Sequence, residues 1–112
     1  MRIALATLAL AGCMSTAHPA QVVTLGPSPA PPWSALRDAI DACAHAQNLS
    51  GELHVRIDID DDGGAGNVSA DRGGGELAHC IGSELGRMRF PADHRGRVIE
   101  VPYTPRPQAA SN

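Results

Sequence analysis

The residue types best suited to chemistry in this chain are two cysteine–histidine pairs, Cys43-Ala44-His45 and His79-Cys80. Two thiolates and two imidazoles would complete a tetrahedral set for zinc or copper. Helix geometry argues against that set. His45 follows Cys43 by two positions, about 200° around a helix, so the two side chains diverge. His79 likewise turns away from the face that holds Leu77, Cys80 and Ile81. Both sulfurs then face inward and both rings outward, which suits a buried disulfide. Asp58-x-Asp60-x-Asp62-Gly63 copies the opening of a calcium loop, but Ser69 stands where that loop closes with Glu, and the flanks read as strands instead of helices. An acidic hairpin turn is the better reading. Arg87, Arg89, Arg95 and Arg97, with His94, form the basic cluster of the chain. They offer a contact surface to an acidic partner or an anionic glycan, against the ordinary alternative of a solvated face. No nucleophile elbow, phosphate loop, HExxH or paired-carboxylate arrangement occurs, so no catalytic residue, metal or cofactor is assigned.

The N-terminus says where these groups would work. Met1-Arg2 is followed by an apolar run from Ile3 to Leu10 and by small Ala11 and Gly12 before Cys13. That is the layout of an export signal, and the run is too short to span a bilayer. Leu10-Ala11-Gly12-Cys13 resembles the lipobox of bacterial lipoproteins. The resemblance implies a diacylglycerol on the Cys13 sulfur, cleavage before it and acylation of the new N-terminus. The partner is then a membrane, reached through the lipid. Met14 in place of Asp implies the outer membrane, facing the periplasm. Cleavage as an ordinary signal near Ala17-His18-Pro19-Ala20 is the other reading.

With Cys13 committed to lipid, Cys43 and Cys80 are an even pair in an oxidising compartment, where a disulfide is the default. Closing the loop between them stabilises by about 4 kcal/mol on the chain-entropy model. That matters in a chain of 112 residues, which holds one domain with a small core once the signal is removed. The 9 basic residues are all Arg, against 12 acidic ones. A mildly acidic balance argues against a general binder of nucleic acid or anionic membrane. Trp33, Phe90 and Tyr103 are the only aromatic residues, too few for a base-stacking platform.

The elements that must position these residues follow from periodicity. Residues 1–12 are signal, and 13–33 form a Pro-rich extended tether. Residues 34–104 are the domain and 105–112 a disordered tail. A helix runs from Ser34, its expected N-cap, to about Leu49, with Leu36, Ile40, Cys43 and Gln47 on one face. Glu52 to Asp60 alternates as a half-buried strand, and Val68 to Asp71 is its weak partner. A second helix spans Glu76 to Arg89, where Gly82 and Gly86 imply close packing. A last strand covers Arg97 to Tyr103. The fold class is α+β, in the order α-β-β-α-β, an antiparallel sheet packed against two helices.

This order carries a further resemblance. A cysteine late in the first helix, the strand Gly51-Glu52-Leu53-His54-Val55-Arg56-Ile57-Asp58-Ile59-Asp60, the turn at Asp62-Gly63, and Glu76-Leu77-Ala78-His79-Cys80-Ile81 stand together. Arg87-Met88-Arg89-Phe90-Pro91 and a Val-rich closing strand complete the set. Over about residues 34–103 the chain resembles the TonB C-terminal domain family, in particular its AgmX/PglI C-terminal type. The resemblance implies the small TonB-like fold and a Cys43–Cys80 bridge. Energy transduction does not follow, because a lipid replaces the inner-membrane helix and the tether is short. Ala44 and Val101-Pro102-Tyr103 also depart from the family pattern. The function expected is a non-enzymatic interaction module for an unidentified envelope protein. The alternatives are a periplasmic carrier of a small ligand or metal, and an accessory subunit of an envelope transport, secretion or motility complex.

Overall fold

The computed structural model describes residues 20–107. Its elements are β1 (Gln21–Val22), α1 (Trp33–Ala46), β2 (Leu53–Ile59), β3 (Ala65–Ala70), α2 (Gly74–Glu84), a 3₁₀ turn (Ala92–His94) and β4 (Val98–Tyr103). β2 behaves as its alternation predicts. Leu53, Val55, Ile57 and Ile59 are buried, while Arg56 and Asp58 are exposed. It is the central strand, antiparallel to β3 on one side and to β4 on the other. Its inner face joins Ile99 and Val101 of β4 with Leu36, Ile40 and Cys43 of α1 and Leu77 and Ile81 of α2 in one core. None of the described helices is long and apolar enough to cross a membrane.

The sheet order is β1-β4-β2-β3, and β1 runs parallel to β4. The sheet is therefore mixed, a correction to the antiparallel expectation. Gln21-Val22-Val23-Thr24-Leu25 lies ahead of the proline run and is rich in strand formers. Val23 and Leu25 pack against the core, and the Val23 N–H donates to the Glu100 carbonyl at 2.9 Å. Two residues of strand are enough because those apolar side chains hold the segment in place.

The helix ends also differ from the sequence reading. Pro32, not Ser34, occupies the α1 N-cap, with no side-chain cap, and the Ala30 carbonyl accepts from the Trp33 N–H at 2.8 Å. α1 ends at Ala46, and Asn48 takes up φ 56, a left-handed conformation that Asn tolerates better than most residues. α2 stops at Glu84 although the apolar spacing continues. Leu85 and Phe90 complete the core from the loop beyond, where the Phe90 N–H donates to the Gly63 carbonyl at 2.7 Å. Gly82 lies where α2 crosses β3, since a Cβ there would meet Val68 Cγ2 at 3.8 Å.

Candidate functional site

Cys43 and Cys80 are joined as a disulfide, with Cα atoms 5.9 Å apart, tying α1 to α2 across 37 residues. Their sulfurs are bonded to each other, and the two histidines point elsewhere. His45 Nε2 lies 2.6 Å from the Arg106 carbonyl. Because a carbonyl only accepts, that nitrogen carries the proton. His79 is exposed and lines an open groove between α2 and β3. Cys13 lies outside the described residues.

The four clustered arginines share their surroundings only in part, and Arg95 lies against the β2–β3 turn, its Nε 3.2 Å from where a Cβ on Gly63 would sit. Arg95 and Arg97 line one cleft together with Ala20, Gln21 and Asp61. Arg89 reaches the β2–β3 turn, where a Cβ on Gly64 would sit 3.4 Å from its Nη1, and it donates to the Met88 carbonyl at 2.9 Å. Arg87 is exposed and does not line that cleft. The acidic turn is held by one side-chain and one backbone bond to Gly64. Asp62 Oδ1 accepts from the Gly64 N–H at 3.0 Å, and the Asp60 N–H donates to the Gly64 carbonyl at 2.8 Å. Gly63 sits at φ +93, and a Cβ there would lie 3.1 Å from the Phe90 carbonyl oxygen. Only glycine fits that turn comfortably.

The outer face of the sheet carries a charged row. His54 Nδ1 lies 3.1 Å from Glu100 Oε2, Arg56 is 3.5 Å from the other Glu100 oxygen, and Glu52 is 3.7 Å from His54 Nε2. The hydrogen bond to Glu100 raises the His54 pKa above 6.5, with smaller help from the nearby Glu52 and Asp71 charges. A raised histidine pKa favours the fold while the ring is charged. The contribution is therefore full below the unfolded value and is lost as pH rises through the folded one. Glu100→Gln is expected to bring the His54 titration, followed by NMR, down toward 6.5 and to flatten stability across that window. An unmoved His54 titration would contradict the assignment.

The two sheet edges differ. On the outer side of β4, the β1 segment covers Ile99 and Glu100. Farther along, Pro102 faces His54 in a pair flanked by bonded ones, so its missing N–H falls on that outer side. β3 is the other edge among the described residues. The Asp71 N–H bonds the His54 carbonyl at 3.2 Å, and the register then turns the backbone groups of Val68 and Ala70 away from β2. Beside this open edge runs the groove lined by Gly75, Ala78 and Gly82 of α2.

Sequence reasoning missed a buried carboxylate. Asp41 is 5% exposed and accepts from the Tyr103 hydroxyl at 2.9 Å, the Arg106 N–H at 3.0 Å and the Arg106 guanidinium at 2.7 Å. Burial, and next the bond to Asp41, push Tyr103 up to about 12. The same carboxylate raises the pKa of Arg106. Pro105 and Arg106, assigned from sequence to the tail, are thereby docked on α1, with Pro105 buried. Residues 108–112 of that expected tail lie outside the described residues. An acidic residue next to the apolar α1 stripe was the one available signal. Its partners lie more than sixty positions away. No family model, no curated protein and no solved structure matches this chain.

Proposed function

We propose that this is a lipid-anchored cell-envelope protein, attached through Cys13 to the outer membrane and facing the periplasm. Its TonB-C-like domain acts as a non-enzymatic interaction module by accepting an extended segment of an envelope protein at the β3 edge. The observation that carries this reading is the asymmetry of the sheet. One edge is covered by β1 and lacks a donor at Pro102, whereas β3 leaves the Val68 and Ala70 backbone groups outward beside a groove of small residues. Main-chain pairing supplies affinity in such complexes, and pockets for alternate side chains supply selectivity. The order α-β-β-α-β within residues 34–104 and the Cys43–Cys80 bridge support the TonB-C-like reading of the domain.

Val68→Pro removes an outward N–H while sparing the ladder to β2, and Val68→Ala controls for the lost side chain. With a photo-crosslinker at Ser69, the wild-type and Val68→Ala proteins are expected to label one specific envelope protein, and Val68→Pro to lose at least most of it. No specific product, or equal labelling by Val68→Pro, would refute strand addition at this edge.

A further inference from the structure

The cleft of about 650 Å³ bounded by Ala20, Gln21, Asp61, Arg95 and Arg97 has no part in the strand-addition reading. We propose that it binds the phosphate of an anionic phospholipid headgroup, docking the domain on the membrane that holds its anchor. The proposal rests on the reading of Cys13 as the lipidated residue.

Three observations converge on it. First, the backbone that presents the two arginines is fixed: the Gly96 N–H donates to the Ile59 carbonyl at 2.8 Å, and the Ile59 N–H donates to the Arg97 carbonyl at 2.8 Å. Both side chains line the cleft and both residues are exposed. Second, among the described residues neither guanidinium makes an ion pair or hydrogen bond. Arg37, Arg56, Arg72 and Arg106, by contrast, are each engaged. A guanidinium fork matches phosphate geometry and is weakly hydrated, so an unpaired pair of them is suited to that group. Third, the chain enters the domain at the cleft wall itself. The β1 pairing and the Gln21 Oε1 to His94 Nδ1 bond of 3.0 Å fix the segment at Gln21. Only six residues then lie between Cys13 and Ala20, a reach of at most about 25 Å. A lipid on Cys13 therefore keeps the cleft close to the headgroups.

The charge of the site explains why the leash matters. Asp61 shares the cleft, and the acidic turn Asp60–Asp62 adjoins it. The chain as a whole is also acidic, so the attraction is local and is screened beyond about 10 Å at 0.1 M salt. Tethering supplies the high effective headgroup concentration that such a contact needs.

The test couples the mature chain through Cys13 to a maleimide lipid in vesicles, since the other two cysteines are in the disulfide. This bypasses cellular lipidation, so failure here is distinct from failure of the anchor reading. Trp33 is the single tryptophan, and its ring lies 5.3 Å from that of His94, next to Arg95. Energy transfer from Trp33 to a dansyl headgroup lipid therefore reports docking of this end. Transfer is expected to be higher on phosphatidylglycerol-containing vesicles than on phosphatidylcholine alone. Arg95→Gln/Arg97→Gln, with its melt unchanged, is expected to lower the docked-to-free ratio about thirtyfold, at roughly fivefold per arginine, and Asp61→Asn to raise it. Equal transfer on the two vesicle types, or transfer untouched by the double variant, would overturn the proposal. Inorganic phosphate that shifts the Arg95 and Arg97 NMR signals without any phosphatidylglycerol dependence would also overturn it, assigning the cleft to free phosphate.

Discussion

Cys43→Ala/Cys80→Ala is expected to lose about 4 kcal/mol of unfolding free energy, the entropy of closing the loop between the two residues in the unfolded chain. The bridge is the one covalent link between α1 and α2, and Cys43 lies in the core at 1% exposure. A domain of this size has a net stability of about 5–10 kcal/mol, so the loss removes a large share of the total. The thermal midpoint should fall by roughly 20 °C. Calorimetry of the double variant checks this, and reduced wild-type protein should show a similar fall. A midpoint within a few degrees of the oxidised wild type would mean that the core, with Leu36, Leu77 and Phe90 at its centre, holds the helices together unaided.

Asp41→Ala is expected to cost about 1–3 kcal/mol, because it leaves the part-buried Tyr103 hydroxyl without its acceptor and the exposed Arg106 guanidinium with only its 3.5 Å contact to Asp38. Asp41→Asn keeps an acceptor for Tyr103 but removes the charge opposite Arg106, and should cost less. The chain has one tyrosine, so absorbance titration reads Tyr103 without overlap. The wild-type phenol should titrate near about 12. In Asp41→Ala the midpoint should fall but stay above 10, since burial is the larger cause of the shift and persists. A raised phenol pKa stabilises the fold below the unfolded value of 10, and that stability is lost as pH climbs through the folded value. A wild-type midpoint at the ordinary tyrosine value, or a stability loss under about 0.5 kcal/mol in Asp41→Ala, would show that the network contributes little.

What could be read from sequence and what could not divide along a physical line. Strand β2 was legible because burial on one face imposes period two on seven consecutive residues. The disulfide was legible from an even cysteine pair, an expected oxidising compartment and helix facing. Strand β1 was not, because two residues carry no period and their partner lies nearly eighty positions away. The end of α2 differs because Leu85 and Met88 keep an apolar spacing after the helix stops, packing on the core from a loop. The Ser34 cap was misread because the Ala30 and Pro32 carbonyls take the first helical N–H groups instead. The arginine cluster was visible as composition. That Arg95 and Arg97 alone of its four residues share a cleft, and with Ala20, depends on the parallel β1–β4 pairing and could not be read locally.

The fate of Cys13 decides whether the domain is held at a membrane at all. Intact-mass and N-terminal peptide mass spectrometry of the protein recovered from bacterial envelope membranes addresses it directly. The prediction is a chain beginning at Cys13 that carries a diacylglyceryl group on sulfur and an amide-linked acyl group. A chain retaining Met1, or one cut downstream near Ala20 and bearing no lipid, would contradict it.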